Sequence, residues 1–300
     1  ANASGARAGS VYVIDPDSLS SAGAPADIAD VCSVTIEGRS EGDALRGIAV
    51  LPALGKAGPL LAVGAYHADG PSEKDIDSGK VYLIDAGSLS GPRISLADSD
   101  FPVIVGPNPR SLLGRSLATG DVDGDGLDDL ALSAYASRGD GSKADASGEV
   151  FLLYGVETAP SEDLNLADDS LPRFRSASRW DLFGLPLALC DLNGDGRSEL
   201  IVAAQFADFE DKERRRCGRV YVFWGGPRSV IDVKTGKAEL ADVTVTGPEA
   251  FGAIGGALET ASISGRYPDL LIGAPDAGAS PGREASGMVA LVPSSLLSAR

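Results

Sequence analysis

The chain has 300 residues, 43% of them hydrophobic and 6% aromatic, with 38 Gly, 18 Pro and a formal net charge of −17. That charge repels phosphate backbones and anionic bilayers, which sets aside nucleic-acid and membrane-surface partners and favours cations and basic surfaces. No apolar run approaches the roughly 20 residues that span a bilayer, and no charged-then-apolar leader opens the chain, so we expect a soluble segment without membrane insertion. The first residue is Ala rather than Met, from which we expect an upstream portion removed by processing or truncation. Cys32, Cys190 and Cys217 are too few, and odd in number, for a disulfide framework. Cys190 and Cys217 share one repeat and either pair or remain buried thiols.

In chain order, the first elements are strands at Ser10–Asp15 and Cys32–Glu37. The Ser10 strand opens a series: Gly9-Ser-Val-Tyr-Val-Ile, Gly79-Lys-Val-Tyr-Leu-Ile, Gly148-Glu-Val-Phe-Leu-Leu, Gly218-Arg-Val-Tyr-Val-Phe and Gly287-Met-Val-Ala-Leu-Val, with glycines 70, 69, 70 and 69 residues apart. Each member is short, β-branched or aromatic, and entered through glycine, the pattern of a buried strand that follows a tight turn. Small-residue motifs precede the later members: Gly64-Ala-Tyr-His, Ser133-Ala-Tyr-Ala, Ala203-Ala-Gln-Phe and Gly273-Ala-Pro-Asp. An apolar residue followed by glycine starts each unit at Leu113-Gly114, Phe183-Gly184 and Phe251-Gly252, with Arg46-Gly47 a weaker version. A polar-flanked strand such as Pro102–Val105 or Val243–Thr246 closes the unit.

Four strands per unit predict an all-β chain of four-stranded antiparallel propeller blades, with a β-sandwich or solenoid as the competing architecture. We divide it into a partial blade at 1–40, whole blades at 41–108, 109–178 and 179–248, and a partial blade at 249–300. That count does not close neatly, so we expect a partial ring. Residues 136–147 and 206–216 are long, polar and variable, and are read as surface loops. Arg214, Arg215 and Arg216 there offset Asp208, Glu210 and Asp211 rather than forming a binding patch.

The sharpest chemistry is Asp121-Val-Asp123-Gly-Asp125-Gly-Leu127-Asp-Asp129, repeated as Asp191-Leu-Asn193-Gly-Asp195-Gly-Arg197-Ser-Glu199. Oxygen ligands at loop positions 1, 3, 5 and 9, with the carbonyl of position 7, can converge on one hard cation, and the two glycines permit the turns such wrapping needs. The competing reading is a metal-free Asp-Gly hairpin turn; two spaced copies of the whole pattern argue against it. An EF-hand is excluded because position 12 is Leu132 or Val202 rather than Glu, and the flanks alternate like strands.

Together, Phe183-Gly184, Phe251-Gly252, Gly273-Ala274-Pro275, both acidic loops and the Gly-x-Val strands resemble the FG-GAP repeats of integrin α-subunit propellers. The resemblance covers nearly the whole chain. It implies a seven-bladed propeller, of which this chain would be a fragment, and an extracellular, cell-surface or periplasmic setting. It also implies two calcium sites: Asp121, Asp123, Asp125, Leu127 and Asp129 at the first, and Asp191, Asn193, Asp195, Arg197 and Glu199 at the second. Leu127 and Arg197 would act through their carbonyls. With four carboxylates against three, the first loop is expected to bind more tightly. Pro52-Ala-Leu-Gly-Lys56 has no acidic ligand and Thr260-Ala-Ser-Ile-Ser264 offers only neutral oxygens before Asp269, so no metal is expected at either.

One histidine, His67, in a strand-end setting, and no apparent nucleophile–base pairing argue against catalysis. We expect a non-catalytic calcium-binding module for extracellular protein interaction or adhesion, with an unidentified protein or surface ligand as partner. The alternative is the accessory propeller of a larger exported enzyme such as a phospholipase or other hydrolase.

Overall fold

A computed structural model of the chain describes residues 8–21, 27–52, 58–72, 74–138, 146–155, 160, 162–168, 171–176, 178–208, 214–229, 231, 238–278 and 286–297. The first sheet holds β1 (Ser10–Ile14) and β2 (Cys32–Glu37). The second holds β3 (Leu45–Leu51), β4 (Leu60–Ala65), β5 (Lys80–Asp85) and, after the short β6 (Arg93–Ser95), β7 (Val103–Val105). The third holds β8 (Leu117–Gly120), β9 (Asp129–Ala134), β10 (Glu149–Leu153) and, after the short β11 (Leu164–Asn165), β12 (Arg173–Arg175). The fourth is β13 (Leu187–Cys190), β14 (Glu199–Ala204), β15 (Arg219–Phe223) and β16 (Val243–Thr246). The last is β17 (Ala257–Ala261), β18 (Asp269–Ala274) and β19 (Met288–Val292).

Within each sheet, successive members pair antiparallel, which makes the chain all-β and its four-stranded sheets propeller blades. Two short strands were not foreseen. β6 runs parallel to β2, and β11 runs parallel to β7, so a unit reaches back onto the sheet before it. No helix among the described residues is long and apolar enough to cross a membrane.

Successive sheets pack face to face because alternate residues of one strand serve two cores. In β5, Val81 and Leu83 join the core shared with the third sheet, while Tyr82 and Ile84 join the core shared with the first. In β14, Leu200, Val202 and Ala204 face the third sheet, whereas Ile201 and Ala203 face the last. This double burial explains why these strands read as continuous apolar runs rather than alternating ones.

Two features fix the repeating glycines. Gly9, Gly79, Gly148, Gly218 and Gly287 all have φ between 76° and 89°. A Cβ at Gly79, Gly148 or Gly218 would also lie 2.2 to 2.3 Å from backbone of Leu113, Phe183 or Ile254, the residue that starts the next unit. The same geometry corrects one landmark. The Gly114 and Gly184 N–H groups donate to the carbonyls of Ser133 and Ala203; Gly255 and Gly256 both donate to Gly273, and of these Gly255 shares the positive φ of Gly114 and Gly184. The last unit therefore starts at Ile254-Gly255, not Phe251-Gly252: Ile254 is buried like Leu113 and Phe183, while Phe251 is 59% exposed.

Gly64 of β4 lies so close to Gly114 that an added Cβ would sit 1.8 Å from the Gly114 carbonyl oxygen. Gly64→Ala should cost about 3 kcal/mol by overpacking. Gly91→Ala, with φ +85 but open space, should cost only about 1–2 kcal/mol of backbone strain. Urea unfolding of the two variants checks the ranking; equal losses would refute the close-approach argument.

Candidate metal centre

The first acidic loop joins β8 to β9, and the Gly120–Asp129 pair closes the hairpin. Gly124 and Gly126, at φ 80° and 86°, turn successive N–H groups inward. The Gly124 and Gly126 N–H groups donate to the two Asp121 oxygens at 2.7 and 2.9 Å. Asp125 N–H donates to Asp123, and Leu127 N–H to Asp125, at 3.0 and 2.9 Å. Val122 and Gly155 hold the two oxygens of Asp129, each at 2.8 Å. The backbone thus orients each carboxylate before any ion is involved.

The outcome is a convergence of Asp121, Asp123 and Asp129, each offering a carboxylate oxygen, with these atoms all within 4.8 Å of one another. Asp129 is fully buried. Burial, reinforced by the charges of Asp123 and Asp125, raises its carboxyl to about 6 despite its two backbone donors. Mutually repelling oxygens in this number, one of them on the buried Asp129 and the others on half-buried residues, fit a hard divalent cation, which takes oxygen ligands and relieves the repulsion. Asp125 lies outside this convergence: its second oxygen receives Arg228 Nη2 at 2.8 Å.

The second loop, between β13 and β14, repeats the scaffold. Asp191 accepts from Gly194 and Gly196, Asn193 from Asp195, Asp195 from Arg197, and Glu199 from Leu192. The third-position amide changes its centre. Asn193 Nδ2 donates to Asp195 and to Glu199, each at 3.3 Å, so a donor stands where the first loop has a carboxylate. Burial and the charges of Asp195 and Asp191 raise Glu199 to about 7.

In the degenerate third loop, between β17 and β18, Asp269 accepts from the N–H groups of Ser294, Ser264 and Ile263 and from the Ser264 hydroxyl. These bonds, that of Ser294 foremost, hold its carboxyl well below the usual range. The chain itself supplies the donors here. Of the counterpart in the second sheet, residues 53–57 lie outside the described residues, so the expectation for Pro52–Lys56 rests on sequence.

The loops are stacked, a relation that sequence reasoning missed. Ser198 N–H donates to the Asp121 carbonyl at 2.6 Å, and Gly226 N–H to the Val122 carbonyl at 2.9 Å. The Arg197 side chain lies over Gly124, where a Cβ would sit 2.7 Å from its Nε, and the Tyr267 ring lies over Gly194 in the same way. Arg197 and Tyr267 both stand two residues before the acid that closes their loops, the third loop being one residue shorter. The side chain at this place therefore seals the preceding loop, beyond the carbonyl role expected of Arg197.

Elsewhere, Cys32, Cys190 and Cys217 are free thiols. His67 Nδ1 meets Asp77 at 2.9 Å, with its ring tilted 43° against that of Tyr66. The Arg216 guanidinium lies over Phe206, 4.6 Å from the ring centroid, and the Arg216 backbone N–H donates to Asp208. Glu210, Asp211 and residues 139–145 lie outside the described residues.

Fold and loops define a blade-repeat protein with acidic hairpins at the junctions between blades. A family model described as FG-GAP repeat matches residues 113–153 and 183–223. The chain is similar to phosphatidylinositol-glycan-specific phospholipase D of Mus musculus (32% identical over 215 residues, 72% of this chain and 24% of the relative). The Homo sapiens protein of that name is 30% identical over 221 residues, with the same coverage. Integrin alpha-PS2 of Drosophila melanogaster is 34% identical over 179 residues, 57% of this chain and 12% of the integrin. The chain belongs to the FG-GAP-repeat β-propeller proteins. It spans about a quarter of the phospholipases' length or less.

Two predictions follow from the titrating groups outside the acidic loops. Asp269→Asn should lower the melting temperature at pH 7, and added calcium should not restore it; full rescue by calcium would mean that Asp269 is a ligand. Asp181 is 4% exposed and hydrogen-bonded to Ser176, and burial raises its carboxyl to about 6. That lies above the usual 3.8, so its ionisation opposes folding: the stability is present below about pH 4 and is lost as pH rises through 6. Asp181→Asn should therefore gain on the parent by up to about 3 kcal/mol between pH 4 and 7.5, measured by denaturation in chelator; a pH-independent difference would refute the assignment.

Proposed function

We propose that the chain is a calcium-binding, non-catalytic propeller module that works outside the cytoplasm and presents its loops to a protein or surface ligand. The observation that carries this reading is the convergence of carboxylate oxygens of Asp121, Asp123 and the buried Asp129 at a blade junction. A bound calcium ion would supply charge neutralisation and a cross-link among these carboxylates. Asp121, Asp123 and Asp129 would hold it, with Asp125 and the Leu127 carbonyl completing the set. The second loop would offer Asp191, Asp195, Glu199 and the Arg197 carbonyl once Asn193 presents its oxygen. Three converging carboxylates against an interposed amide support tighter binding at the first loop.

Similarity to integrin alpha-PS2 supports an interaction role. Similarity to phosphatidylinositol-glycan-specific phospholipases D supports the second reading, an accessory propeller within a larger exported enzyme. In both readings the chain itself performs no chemistry.

Calorimetric calcium titration of the chelator-stripped protein tests the proposal. Two sites are expected, and Asp123→Ala combined with Asp195→Ala should abolish both. Calcium at a hundred times Kd should stabilise the parent by about 2.7 kcal/mol for each occupied site and leave the double variant unchanged. Identical melting temperatures in calcium and chelator, with no heat of binding, would reduce the loops to turns.

A further inference from the structure

The first loop already holds a cation from elsewhere in the chain. Arg228, in the segment after β15, places Nε on Asp123 Oδ2 and Nη2 on Asp125 Oδ2, the latter at 2.8 Å. Its guanidinium also lies over the Tyr154 ring, 4.7 Å from the centroid. Tyr154 follows β10 in the same blade as the loop, whereas Arg228 belongs to the next blade. The contact therefore spans the junction. The Asp123 side chain is 4% exposed and that of Asp125 35%, while Arg228 is 51% exposed, so the Asp123 pair is shielded from water on its carboxylate side and open on its guanidinium side.

The consequence for Asp125 is specific. One oxygen accepts from Leu127 N–H and the other from Arg228, and the oxygens that converge belong to Asp121, Asp123 and Asp129 without it. In the second loop the same position, Asp195, meets the neutral Asn193 amide instead. The loop with the greater negative charge is the one bridged by an arginine.

We infer that Arg228 is a built-in counter-cation of the first loop, competing with the divalent ion for Asp123 and Asp125 while it ties two blades together in the ion-free protein. The inference rests on the calcium reading of this loop. Electrostatics fixes its sign. A guanidinium adjacent to the ligands repels a divalent cation, while in the ion-free protein it offsets carboxylate repulsion. A bound ion would take Asp125 as a ligand at the expense of its bond to Arg228, so the stronger loop would be weakened toward its neighbour.

Arg228→Gln should act with opposite signs in the two conditions. It should bind calcium at the first loop about tenfold more tightly, as expected from removing one nearby charge, and melt at a lower temperature in chelator. Calorimetry in an Asp195→Ala background isolates the first loop, and Arg228→Lys, which keeps the charge, should bind within a few-fold of its parent. A merely structural arginine would weaken both properties when replaced. Calcium binding that is unchanged or weaker in Arg228→Gln overturns the competition while leaving the metal site intact. Absence of calcium heat in every variant overturns the metal reading and the competition with it, and the chelator melting temperature then reports the ion pair alone.

Discussion

Every well-ordered feature of this chain depends on burying both faces of its strands. A strand such as Leu130–Ala134 sends Leu130, Leu132 and Ala134 into one core and Ala131 into another, so the central strands of the inner sheets turn neither face to water, whereas the edge strand β3 leaves Ile48 and Val50 half exposed. Burial on that scale is the dominant favourable contribution to folding. It imposes a fixed separation between sheets, and the close approach of Gly64 to Gly114 follows from it. The hairpin loops then hang at the sheet ends, held at a spacing set by side chains far from them.

That placement gives the acidic loops their character. A free hairpin with several carboxylates would spread them into solvent. Here the sheets hold Asp129 and Glu199 at the ends of buried strands, while the loop backbone aims the other acids toward them. Three different answers to the same repulsion appear along one chain: an arginine beside the first loop, an asparagine amide inside the second, and saturating hydrogen bonds around Asp269. Burial with incomplete compensation raises Asp129 and Glu199, whereas ample donation lowers Asp269. Ligand count alone ranks the loops less well than ligand count together with what already neutralises them.

Much of the fold was legible because a repeat makes a sequence comment on itself. The Gly-x-Val strands, their spacing and the two loops stand where expected, and Cys32–Glu37 and Val243–Thr246 are strands with those bounds. The misplacement at Phe251-Gly252 came from matching letters. Gly114 and Gly184 each lie 19 residues before Ser133 and Ala203, and Gly255 lies 18 before Gly273 whereas Gly252 lies 21 before it, so spacing held the better signal. Arg228 could not be found this way: it sits 105 residues from Asp123, and the repeat spacing puts Thr158, not a basic residue, at the corresponding place in the preceding unit. The seal made by Arg197 over Gly124 was equally hidden, since position 7 is marked by a backbone role and its side chain varies.

The two short parallel strands also bear on how the molecule behaves among others of its kind. An outermost strand presents unpaired N–H and C=O groups, a template on which another chain can add itself. β6 lies along the outer edge of β2 and β11 along that of β7, so parts of two such templates are occupied from within, by two or three residues each. At these edges, resistance to aggregation is written into the connections between units and does not depend on charged side chains alone.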